Sequence, residues 1–65
     1  MNRIEANIRL LEILKETLCK NPNLRFIQAL WALKIIDYDN KGVVIDRFYE
    51  EPSKTLERIG YEESN

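Results

Sequence analysis

Apolar residues at Ile4, Ile8, Leu11, Leu14 and Leu18 recur at spacings of three and four, the period of one helix face, and predict an amphipathic helix over residues 2–20. Glu5 with Arg9, and Glu16 with Lys20, are i,i+4 pairs in the favourable order on the wet side. At 100° per residue a charged arc runs from Glu12 through Glu5 and Glu16 to Arg9 and Lys20, while Ala6, Leu10 and Ile13 fall outside the main apolar stripe. The apolar face is therefore wider than one neighbouring helix covers.

Asn21-Pro22-Asn23 ends this helix, because the residue before proline is pushed out of the αR region and proline cannot continue the ladder. Asn23 is placed to cap a second helix over residues 24–36, and the short connection makes the pair an αα-hairpin. Within residues 24–36 only Arg25, Gln28 and Lys34 are polar, and they do not form a solvent face. A helix that is apolar almost all round must be enclosed by protein. Residues 37–42, rich in Asp, Asn and Gly, read as a loop, and Val43-Val44-Ile45 has extended preference without a second strand to pair with. Pro52 opens a third helix over residues 52–59, stopped by Gly60, and residues 61–65 read as a frayed tail. The pattern predicts an all-α fold: a small helical hairpin with a short third helix, in a single domain spanning residues 1–65.

Length sharpens the enclosure problem. At 65 residues the chain is near the lower limit for a core that stands without disulfides, metal or oligomerisation. Cys19 is the one cysteine and histidine is absent, so an intrachain disulfide and a closed zinc site are both excluded. Oligomerisation remains, which makes a homodimer through the second helix the expectation, with Ile27, Leu30, Trp31 and Lys34 at its interface. The formal charge is −1 with acids and bases interspersed, so no strong field draws in nucleic acid or an anionic membrane. Charges break the N-terminal apolar run, which argues against an export signal or a spanning helix, and a lone thiol suits a cytoplasmic setting.

Candidate chemistry is sparse. Asp37-x-Asp39-x-Lys41-Gly42 imitates the opening of a calcium loop, but its fifth position is Lys41 and its twelfth is Phe48 where a bidentate Glu is needed. An ordinary polar turn is the simpler reading. Asp46, Glu50 and Glu51 around Phe48-Tyr49 would serve as acid and base only if one were desolvated; the plainer expectation docks Phe48 and Tyr49 on the hairpin and turns the acids to water. Cys19 has no histidine to activate it and reads as a small packed residue. A helix-turn-helix reading is weakened because the second helix offers two cations and mostly apolar surface to a groove.

The run of residues 21–30, followed by Asp46-Arg47-Phe48-Tyr49-Glu50-Glu51 and then Thr55-Leu56, resembles a group of short bacterial and phage-encoded proteins with a P-x-L-R-F-x-Q-L core and a later D-x-F-Y element. That group often carries glycine where this chain has Ile27. The resemblance carries no activity; it implies a phage or mobile-element origin, where very small proteins often bind and block a host or defence protein.

The sequence thus leads to a non-enzymatic protein-binding module, without catalytic residue, metal or cofactor, that binds itself and a host protein. Arg25, Gln28, Asp46, Arg47, Tyr49 and Glu50 are the expected polar rim of the partner site. A plainer role for Arg25 is to pair with Asp46 or Glu50 and fix the loop. Two alternatives stay open: a small nucleic-acid-binding regulator, and a nucleotide or small-ligand sponge at a dimer interface.

Overall fold

Asn2 starts the first helix as a cap. Its side-chain oxygen accepts the Glu5 backbone N–H at 2.8 Å, and its amide donates to the Glu5 carboxylate, also at 2.8 Å. One orphan donor of the first turn is satisfied in this way. The computed structural model describes residues 2–60 and places in them three helices, α1 (Arg3–Lys20), α2 (Phe26–Ala32) and α3 (Pro52–Arg58), with no strand among the described residues. The fold is all-α, and the expected frayed tail, 61–65, lies outside the described residues.

α1 ends where expected, with Asn21 donating its side-chain amide to the Thr17 carbonyl at 2.8 Å. α2 is shorter than the 24–36 expectation at both ends. Arg25, not Asn23, is its N-cap residue, and the Gln28 side chain reaches back to accept the Arg25 N–H at 2.9 Å. At the other end Lys34 takes a left-handed conformation, φ +63°, and two bonds close the helix: Lys34 N–H to Trp31 O and Ile35 N–H to Leu30 O, both 2.9 Å. This is the αL closure that glycine usually makes, built here on a lysine. The stop comes from tertiary structure, since the carbonyls of Lys34 and Ile35 both accept from the Arg58 guanidinium on α3. α3 begins with Pro52 at its first position and ends before Gly60, φ +90°, close to the expected 52–59.

Between α2 and α3, Asp39 organises a tight reversal. Its carboxylate accepts the backbone N–H of Lys41 at 2.8 Å and of Val43 at 3.0 Å, and Gly42 supplies the positive φ of +79°. Tyr38 and Val44 then meet in a single antiparallel bridge, so the β-branched run is extended as its composition suggests without building a sheet.

α1 packs against both other helices. The core is small: Ala6, Ile13 and Leu56, with Leu10 and Leu33 packed on it, and with Leu14 and Ala29 also buried. This corrects the reading of α1. The covered strip is Ala6, Leu10 and Ile13, whereas Ile4 is 71% exposed and Ile8 and Leu11 are also open to solvent. Two helices of seven residues cannot cover both strips, and they take the one where the small Ala6 lets backbones approach closely.

Candidate interaction surface

Glu50 is the polar centre of the molecule. Its carboxylate accepts from Arg58 Nε and Nη2 at 3.0–3.3 Å, from Thr55 Oγ1 at 2.6 Å and from Arg47 Nη1 at 3.2 Å. The side chain is only 16% exposed. The Arg58 hydrogen bonds hold the Glu50 carboxyl below its ordinary value, with Thr55 and Arg47 acting in the same direction and burial opposing them. Arg58 in turn grips the Lys34 and Ile35 carbonyls, so one charged pair joins the segment before α3, α3 itself and the end of α2. Arg47 leans on Asp37 at 3.6 Å, and its Nε is buried with no partner among the described residues.

Asp46 and Glu51 are exposed as expected, but these bonds overturn the rest of the expectation, in which Glu50 also faces water and the aromatics dock. Glu50 is turned inward, and Phe48 and Tyr49 are 81% and 92% exposed. A carboxylate with three cationic or hydroxyl partners is stable at that depth, while the small core offers the rings no space. The turn carrying them is braced: Asp46 accepts the Phe48 N–H at 3.0 Å, the Glu50 N–H donates to Arg47 O at 2.9 Å, and Glu51 pairs with Arg3 of α1. The two rings meet edge to face with centroids 5.0 Å apart.

The expected interface residues on α2 separate. Ile27 and Trp31 are exposed together with Phe26, but Leu30 is half-buried and Lys34 lies beyond the helix end. Trp31 rests on Tyr38, ring centroids 3.9 Å apart. Arg25 and Gln28 are exposed at the start of α2, where their shared bond is the helix cap. Among the described residues neither Asp46 nor Glu50 pairs with Arg25. The expected polar rim therefore falls into two places: Arg25 and Gln28 beside the α2 aromatics, and Asp46, Arg47, Tyr49 and Glu50 on the braced turn. Of the latter, Arg47 and Glu50 are engaged within the fold, leaving Tyr49 the freest to meet a partner.

An apolar groove of about 290 Å³ runs along α1, lined by Asn7, Leu10, Leu11, Leu14 and Ile35. Asn7 also walls the neighbouring hollow formed by Arg3, Phe48, Tyr49 and Glu51. The sequence marked Leu11 and Leu14 as apolar, but their place in a groove depends on Ile35, whose position follows from the early end of α2.

Among the described residues no group of three His, Cys, Asp or Glu side chains is arranged to hold a metal ion. No helix among the described residues is long and apolar enough to cross a membrane. Asp39, the centre of the calcium-like sequence, spends its carboxylate on backbone N–H groups. Comparison with protein-family models, curated proteins and solved structures yields no match, so the functional reading rests on this chain alone.

Proposed function

We propose that this chain is a non-enzymatic protein-binding module that works as a homodimer and captures a partner protein on the exposed face of α2. The observation that carries this reading is the inverted balance of its large apolar side chains. Ile13, Leu14 and Leu56 are buried, while Ile4, Ile8, Leu11, Phe26, Ile27, Trp31, Val43, Val44, Phe48 and Tyr49 are exposed. Scattered apolar residues are normal on a surface, but contiguous aromatic and aliphatic groups beside polar ones mark interaction sites. On α2, Phe26, Ile27 and Trp31 provide the anchor and Arg25 and Gln28 the polar rim.

Charge and lining favour protein over the alternatives. Nucleic acid is favoured by a strong positive field, whereas the net charge here is −1 with acids and bases interspersed, and Arg3, Arg47, Lys54 and Arg58 are paired with acids. A nucleotide would need a cation beside its phosphates; the apolar α1 groove is lined by none, and the hollow further along α1 that has Lys15 and Lys20 also has Glu12 and Glu16.

The test is capture from bacterial lysate on immobilised chain, comparing wild type with Ile27→Lys on the α2 face and Lys54→Ala on the exposed face of α3. A protein retained by wild type and Lys54→Ala but lost with Ile27→Lys supports the reading. Equal retention by all three moves the partner site away from α2.

A further inference from the structure

We propose that the second copy of this chain docks on the α1 face, each protomer inserting Phe48 and Tyr49 into the α1 groove of the other. This rests on the dimeric reading above and assigns its interface to a face other than α2. A protruding pair of rings and an apolar groove stand side by side on one surface, sharing Asn7 as a wall. A patch carrying both a projection and its receptacle is self-complementary under a two-fold rotation, the commonest symmetry of small assemblies. With the axis crossing α1 near Asn7, the two α1 helices run antiparallel and both insertions are made at once.

Volume and area agree with this occupant. An apolar cavity of roughly 150 Å³ accepts one benzene-sized ring, so a groove of about 290 Å³ has room for both aromatic side chains. No charged residue lines the groove, so nothing there opposes the rings. Taking roughly 200 Å² for an enclosed aromatic side chain, the exposed fractions of Phe48 and Tyr49 offer about 350 Å². Ile4 and Ile8, which continue the exposed edge of α1, and Leu11 itself add roughly 200 Å² more. With the usual polar share, each copy then contributes about 900 Å², the scale of a stable, specific dimer. The projection also enters prearranged, because Asp46, Arg47, Glu50 and Glu51 brace the turn while its two rings remain free. Little conformational freedom is left to lose on docking.

Sedimentation of the full chain from about 5 to 200 µM tests this, with Phe48→Ala, Leu11→Lys and Ile27→Lys run alongside. Phe48 and Leu11 are exposed in the protomer, and circular dichroism checks that each variant stays helical. The expected result is a wild-type dimer whose dissociation constant rises at least about a hundredfold in Phe48→Ala and in Leu11→Lys, since each change strikes the interface twice, while Ile27→Lys remains dimeric. A dimer untouched by Phe48→Ala and Leu11→Lys overturns the assignment of the face and leaves the dimeric reading standing. A wild-type monomer at every concentration overturns both. Growth into open chains overturns the two-fold exchange.

Discussion

Glu50→Ala removes one carboxylate from three partners and leaves the Arg58 guanidinium, 19% exposed, facing the space it vacated. Exposed ion pairs contribute about 0–1 kcal/mol, and breaking a buried one costs about 3–5 kcal/mol. Glu50 lies nearer the buried limit but keeps a path to water, so the expected loss is about 2–3 kcal/mol. In a domain this small that is a large share of the whole stability and corresponds to a fall in melting temperature of roughly 10–20 °C. Urea unfolding followed by far-ultraviolet circular dichroism at one fixed protein concentration measures it. The pH dependence supplies a second check. The folded chain holds the Glu50 carboxyl below its ordinary value of 4.5, so its contribution is present above about pH 4.5 and disappears as pH falls through the folded value. The gap between wild type and Glu50→Ala should therefore close in strong acid. A difference under about 0.5 kcal/mol at pH 7, or one unchanged in strong acid, refutes the role given to this cluster.

Lys34→Gly should stabilise the chain by about 1 kcal/mol, because φ +63° strains a side chain and glycine adopts it freely; a matched pair of thermal melts checks this. Ile13→Ala should cost about 3 kcal/mol, and more than Ile8→Ala, in urea titrations at one fixed protein concentration, since α1 buries Ile13 inside the protomer and leaves Ile8 on its surface. The reverse order would restore the stripe that periodicity favoured.

How far the sequence carries depends on whether a signal is local. α1 and α3 are legible because Asn2, Pro22, Pro52 and Gly60 mark their ends through chemistry that acts within a turn. The end of α2 is not, because no glycine or proline lies near it. Arg58, twenty-four residues beyond Lys34, takes the carbonyls there. The same distance hides the site. Periodicity identified α1 as broadly apolar, but which strip is covered depends on where two short helices land, and that left Ile4, Ile8 and Leu11 outside. Phe48 and Tyr49 read as core by residue type alone. Only the pairing of Glu50 with Arg58, eight residues along, shows that the acid turns in and the rings turn out. The expected partner residues form one polar set in the sequence, yet Arg25 and Gln28 lie at the start of α2, and Asp46, Arg47, Tyr49 and Glu50 on the turn before α3.

The exposed apolar surface of this chain is proposed to be covered by protein, beginning with its own second copy. The dependence of unfolding on protein concentration tests it most directly. For a folded dimer giving unfolded monomers, each tenfold rise in concentration adds about 1.4 kcal/mol to the apparent stability. A homodimer gives a urea midpoint that climbs steadily from about 2 to 200 µM chain. A midpoint that stays fixed across that range would contradict it.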